Sequence, residues 1–280
     1  MTPPSPDMPD RQPNILLIHA DHFRRDALGP HTPNLMQLAR RGVRFANAYC
    51  GSPLSMPSRT ALLTGLLPSQ NGVCGNMAAA IPPSLRGDTY PAHLQRAGYR
   101  TSMVGKHHWV DNWGLERDVT EDDDLVRGFG FDDVCQVTDE MEGLHNDDEL
   151  THALRRQETL EGYREQVARE AGRCGTFDMP EEHYADAFIA AQARAWLDEH
   201  ATAGRPWYLN VGFVGPHPPY WHPGACDIPP DRVPLPVVGA EDAPALRQRR
   251  CHYLQKCILL DRYVGGMLEM LDQRGAPAET

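Results

Sequence analysis

Lysine is scarce in this sequence: of its 27 basic residues only Lys106 and Lys256 are lysines, set against 38 acidic residues for a formal charge of -11. With a pI near 5.6 there is no broad basic surface, which argues against a nucleic-acid partner. No apolar run approaches the roughly 18 residues of a membrane-spanning helix. The N-terminus, Met1-Thr-Pro-Pro-Ser-Pro-Asp-Met-Pro-Asp10, lacks the charged and apolar regions of a secretory signal. These absences lead to the expectation of a soluble, cytoplasmic protein without membrane contact, whose residues 1–12 form a disordered leader. Paired Cys-x-x-Cys motifs are missing too. The seven cysteines, odd in number and irregular in spacing, are expected to be reduced and mostly structural.

What is present fits one large α/β domain. At 280 residues and 41% hydrophobic composition the chain can bury a full core. Asn14-Ile-Leu-Leu-Ile-His19 has the continuous apolar run of a buried parallel strand and empties into polar Asp21-His22. Thr32, Pro33 and Gly42 have the cap, first-turn proline and stop of a helix over Asn34 to Arg41, and Val43 to Tyr49 then reads as a strand. Helices are expected from Ser58 to Thr64 and from Thr89 to Ala97, each stopped by a glycine, with a strand from Tyr99 to Val104. Strand, helix, strand alternation implies a doubly wound, mostly parallel sheet flanked by helices.

Beyond residue 110 the pattern weakens. Residues 111–180, with the acidic run Glu121-Asp-Asp-Asp124 and a polar helical segment around Leu154 to Glu170, look like a variable elaboration over one edge of the sheet. A helix follows over Glu181 to His200, where Tyr184, Phe188 and Trp196 recur at helical spacing, and then a strand over Trp207 to Val214. Eight prolines from Pro216 to Pro236 make residues 216–240 a stiff loop of the kind that often carries function. A final helix is expected from Asp242 to about Asp272, with Gly275 as its stop.

Several of these residues could carry chemistry. Asp21 and His22, at a strand end, could hold a divalent cation, although a strand-end Asp that only caps its turn is the commoner case. Ser55-Met-Pro-Ser-Arg59 puts a serine at a proline-primed helix start, near unpaired amides, with an arginine one turn along. That is a favourable place for an anionic ester.

Ser55-Met-Pro-Ser-Arg59 followed by Thr60-Ala-Leu-Leu-Thr-Gly65 resembles the sulfatase signature. Pro13 to Ile18, Asp26-Ala-Leu-Gly29, Thr32-Pro-Asn-Leu35, Gly42-Val-Arg-Phe45, Asn47-Ala-Tyr49 and, later, Gly215-Pro-His-Pro-Pro219 are similar to the same family. The resemblance is dense from residue 13 to about 110. It implies an alkaline phosphatase-like fold over 13–280 and a metal-dependent sulfuric ester hydrolase whose nucleophile is a formylglycine made from Ser55. It further implies that Arg59 neutralises the nucleophile's oxygens, that Lys106 binds sulfuryl oxygens, that His108 steadies the nucleophile, and that His217 contacts the ester. Asp21, His22 and Ser55 would hold one divalent metal ion, calcium in the family's usual site. His107 keeps an ordinary structural role, His252 that of a helix-surface residue, and His222 is left open.

Three departures qualify what the family implies. His22 stands where the family has Asp or Gln, and a nitrogen donor moves preference from calcium toward manganese or zinc. Ser replaces the commoner Cys at position 55, so conversion depends on a maturase suited to serine. The family's remaining metal ligands, from an Asp-His or Asp-Asn pair, and its second lysine are not found, which leads to the expectation of a chain truncated before its last core strands and C-terminal subdomain. Such a chain would need a complementing partner or association with copies of itself. Two alternatives stay open: a phosphodiester or phosphonate monoester hydrolase, and an inactive anion-binding fragment or paralogue. Nothing identifies the alcohol part of the substrate.

Overall fold

The computed structural model describes residues 12–76, 81–110, 116–226, 228–233 and 243–275. The leader expected over residues 1–12 lies outside them except for Gln12. A four-stranded, all-parallel sheet is built from β1 (Ile15–Ala20), β2 (Arg100–Gly105), β3 (Asp133–Gln136) and the later strand Trp207–Phe213. Between these in the chain falls β4 (Cys174–Phe177), so Trp207–Phe213 is β5, and β6 (Tyr220–Pro223) follows it. The sheet order is β1-β5-β2-β3, while β4 and β6 pair in a separate two-stranded ribbon.

Alternation along the strands divides the core in two. Val104, Leu209 and Val211 face the helix Ala185–His200, through Ile189 and Leu197, and the final helix Ala243–Gln273, through Leu260, Val264 and Met267. Met103 and Tyr208, with Ile15 and Leu17 of β1, face the other way onto Leu63, Trp109, Phe129 and Phe131. Helical layers on both faces explain why β5, in the middle, is buried along its whole length. Truncating a side chain such as Leu209 to alanine would cost about 2–5 kcal/mol. At the edge, the side chains of β1 are only half-buried.

Gly105 and Gly212 are paired across β2 and β5. A Cβ on Gly212 would lie 2.1 Å from the Lys106 carbonyl oxygen, and one on Gly105, whose φ is +101°, would lie 2.2 Å from the Gly212 carbonyl oxygen. No side chain fits there, and the close approach brings Lys106 to the ends of the neighbouring strands.

Several expectations need correction. Val43 to Tyr49 is irregular, not a strand, with Val43 and Phe45 79% and Tyr49 91% exposed. Its apolar alternation is real, but among the described residues no strand lies beside it to complete a ladder. Residues 111–180 contribute more than an elaboration, because β3 within them is an edge strand of the main sheet. The single helix expected around Leu154 to Glu170 is two, Glu149–Arg156 and Leu160–Glu170, broken near Glu158 at φ 60°. The proline-rich loop contains β6, held by its ladder to β4. Elsewhere the helices Pro33–Arg41 and Tyr90–Arg96 fall where expected. The helix read as starting at Ser58 begins at Ser55.

Candidate active site

Parallel strands bring their C-terminal ends to one edge of the sheet, and the chain turns polar as it leaves each strand there. After β1 comes Asp21, after β2 Lys106 and His108, after β3 Asp139, and after β5 the turn that leads to His217. Helix Ser55–Thr64 starts at the same edge. Its N-cap is Leu54, so no capping side chain closes it; the Asn76 side-chain oxygen instead accepts the Met56 N–H at 3.0 Å. Pro57, in the first turn, has no N–H to satisfy. At the far end Gly65, at φ 70°, stops the helix in the left-handed conformation.

Direct contacts link these side chains. Lys106 Nζ lies 3.1 Å from Asp21 Oδ2 and 3.0 Å from Asp139 Oδ2. Arg59 Nη2 lies 3.4 Å from Asp21 Oδ2, while its Nη1 donates to the Lys106 carbonyl oxygen at 2.8 Å. Asp139 is itself fixed, since its Oδ1 accepts the N–H groups of Met141 and Glu142. Burial works against charge on Asp21, but Lys106 and Arg59 outweigh it and hold the carboxyl well below the ordinary range. Burial likewise works against the Lys106 ammonium, and Asp139 and Asp21 more than restore it. Both charges are therefore present at neutral pH.

Asp21, His22, Ser55 and Arg59 line one cleft of about 330 Å³. His217 joins it through His22, the two ring centroids being 4.4 Å apart. Its Nδ1–H donates to the Pro218 carbonyl oxygen at 2.6 Å, which leaves Nε2 with a free lone pair. Burial and then the Lys106 charge lower both His217 and His108 to about 4, so both are neutral near pH 7. Among the described residues neither ring nitrogen of His108 has a hydrogen-bond partner. His22 at φ 65° and His108 at φ 50° hold left-handed backbone conformations that cost non-glycine residues about 1 kcal/mol or more, and such strain concentrates at functional sites.

Sequence reasoning missed other residues in this region. Lys256, on the final helix, is fully buried and donates to the carbonyl oxygens of His217 at 2.9 Å and Pro219 at 3.0 Å, with Glu140 Oε1 3.6 Å away. Asp186 accepts the N–H groups of Val214 and Gly215, fixing the turn that precedes His217. The rarity of lysine was the one available signal for Lys256. His107 has the structural role expected of it: its Nε2–H donates to Gln136 and its Nδ1 accepts the Trp109 N–H. His252 does not lie on a helix surface; it is buried, and its Nδ1 is 2.8 Å from His222 Nε2. All seven cysteines are free, but Cys50 and Cys74 are exposed and only Cys251 and Cys257 are fully buried.

A divalent cation would find one carboxylate, one imidazole and one hydroxyl here, from Asp21, His22 and Ser55. Lys106 and Arg59 already compensate much of that carboxylate's charge. The three donors fit part of a coordination shell, since a hard cation takes about six or more.

Comparison with known proteins agrees with this architecture. The sulfatase family model matches residues 13–280. Choline-sulfatase of Rhizobium meliloti is 33% identical over 225 residues, covering 75% of this chain and 39% of that protein. Arylsulfatase A of Homo sapiens is 42% identical over 110 residues, covering 35% of this chain and 21% of that protein. The crystal structure of a phosphonate monoester hydrolase of Agrobacterium radiobacter superposes with a TM-score of 0.73 at 23% identity, covering 96% of this chain and 61% of that one. The chain thus spans about two fifths of the choline-sulfatase it matches. No described helix is long and apolar enough to cross a membrane. By family model and by relatives, the chain belongs to the sulfatase family, with an α/β fold of the alkaline phosphatase type.

Proposed function

We propose that this chain carries the nucleophile-bearing part of a site that hydrolyses sulfate esters of small alcohols or carbohydrates. The observation that carries the proposal is the direct contact of Asp21 with both Lys106 and Arg59, beside Ser55 in one cleft. Such paired cations are suited to a group that gains negative charge as it transfers.

In this mechanism a maturase removes two hydrogens from Ser55, and the resulting formylglycine is hydrated. One hydroxyl attacks sulfur while the ester S–O bond breaks. Neutral His217 Nε2 takes the proton of the attacking hydroxyl and passes it to the departing alcohol oxygen. The remaining hydroxyl then gives its proton to solvent as the carbon–oxygen bond to sulfate breaks, so that sulfate leaves and the aldehyde reforms. Arg59 and Lys106 neutralise the sulfuryl oxygens, and His108 orients position 55. A divalent ion, calcium or, because of His22, manganese or zinc, would be held by Asp21, His22 and position 55 and would supply Lewis-acid polarisation.

A second possibility is a phosphonate monoester or phosphodiester hydrolase, in which unmodified Ser55 attacks phosphorus. It is favoured by the serine at position 55 and by the fold shared with a phosphonate monoester hydrolase. Rates on an aryl sulfate and an aryl phosphonate, measured side by side with Ser55→Ala as control, separate the two. A higher rate on the sulfate supports the sulfatase, and a higher rate on the phosphonate overturns it.

A further inference from the structure

A second group of side chains comes together, on β6 just after the His217 loop in the chain and on the final helix, that the chemistry above does not use. His222 on β6, Cys226 just beyond it and His252 on the final helix each offer a ligand atom, and these atoms lie within 4.8 Å of one another. His222 and His252 are buried, and Cys226 is partly so. Cys251, beside His252 on the helix, packs against Cys226 together with Ile228 and Val233.

The hydrogen bonds around the two imidazoles give each ring a fixed partner. His252 Nδ1 faces His222 Nε2 at 2.8 Å, His252 Nε2 faces the Gln248 side-chain amide at 2.9 Å, and His222 Nδ1 faces the Pro223 carbonyl oxygen at 3.4 Å. His222 thus carries its proton on Nδ1, toward the carbonyl, and leaves the Nε2 lone pair pointing at His252. If the Gln248 amide turns its oxygen to His252 Nε2, the His252 proton moves there and Nδ1 is free as well. Both outer nitrogens would then donate to an oxygen, the arrangement that orients metal-bound histidines.

We infer that His222 Nε2, Cys226 Sγ and His252 Nδ1 form a binding site for a zinc-class divalent ion, separate from the cleft at Ser55. Two nitrogens and a sulfur suit a borderline-soft ion, whereas calcium and magnesium prefer oxygen. At metal–nitrogen distances of about 2.0–2.1 Å, tetrahedral geometry places the two nitrogens about 3.3 Å apart, so the rings need to part by only about 0.5 Å. On binding, the Cys226 thiol gives one proton to solvent, the His252 proton changes nitrogen, and water fills the fourth position. The ion would tie β6 to the final helix three residues beyond Pro219, reinforcing the clamp that Lys256 places on His217.

Cobalt titration of the metal-stripped chain tests the site, because a thiolate ligand to Co2+ has a near-ultraviolet charge-transfer band that oxygen and nitrogen ligands lack. Wild-type protein is expected to develop that band to a saturating intensity of one thiolate-bound Co2+ per chain, with no contribution from Co2+ taken up at the Asp21 cleft, and to lose it when Zn2+ is added. Cys226→Ser is expected to abolish the band, and His252→Gln to weaken binding by more than the roughly 10–100-fold that outer-shell partners cost. Cys50 lines the cleft at Ser55, and Cys50→Ser is expected to leave the band unchanged. Melting curves of the metal-free variants establish that each is folded. A folded wild-type protein without the band, or a band that survives in folded Cys226→Ser, overturns the site.

Discussion

Lys106 and Asp21, 85 residues apart in sequence and both buried, meet with their charged atoms 3.1 Å apart, and Asp139 holds the other side of the same ammonium at 3.0 Å. Removing Lys106 would leave two carboxylates buried beside each other. Lys106→Met is therefore expected to destabilise the fold by about 3–5 kcal/mol, the usual consequence of stripping one partner from a buried pair. Adding Asp139→Asn to that variant should recover part of the loss, measured as midpoints of denaturant unfolding. Additive effects of the two substitutions, with Asp139→Asn alone completing the cycle, would show that the two charges are not coupled.

Lys256 has the same character at the His217 loop. Lys256→Met removes the donor to two loop carbonyls and leaves Glu140, whose carboxyl burial pushes above its ordinary value despite Lys256, without its cation. A loss of about 3–5 kcal/mol is expected, and a smaller one when Glu140→Gln is combined with it. Thermal melts of the four members of this cycle provide the measurement. Additive effects would contradict the coupling.

His107 makes stability depend on pH. Burial lowers its pKa from 6.5 to about 4, with the hydrogen bond to Gln136 only partly opposing. Because the folded value lies below the unfolded one, the unfolded chain binds more protons between them. The contribution is complete above about pH 6.5 and is lost as pH falls toward 4, when a proton on Nδ1 would break the bond from the Trp109 N–H. At roughly 1.4 kcal/mol per unit the effect is up to about 3 kcal/mol. His107→Gln should flatten the acid limb of the melting-temperature profile between these values; an unchanged limb would show that other groups set it.

Much of this was legible because the signals are local. The apolar run of β1 and the glycine stop at Gly65 can each be read within a few residues, whereas the start of that helix at Ser55 lies three residues before the Ser58 read from sequence. Asp139 was not legible, since it comes after a four-residue strand in an acidic stretch where nothing distinguishes one carboxylate from the next. Helical spacing placed His252 on the final helix but could not say that β6 would cover that side of it. Val43 to Tyr49 shows the opposite failure: its side chains alternate as in a strand, yet strand formation needs a neighbour that local sequence does not report.

The central claim is that position 55 bears the reacting group as a formylglycine made from Ser55. Mass spectrometry of the peptide spanning residues 52 to 58, from protein made together with a serine-competent maturase, tests it most directly. The predicted result is a loss of about two hydrogens at Ser55, with Ser52 and Ser58 unaltered and no loss in Ser55→Ala. An unmodified Ser55 under those conditions would contradict the formylglycine mechanism and favour direct attack by the serine on phosphorus.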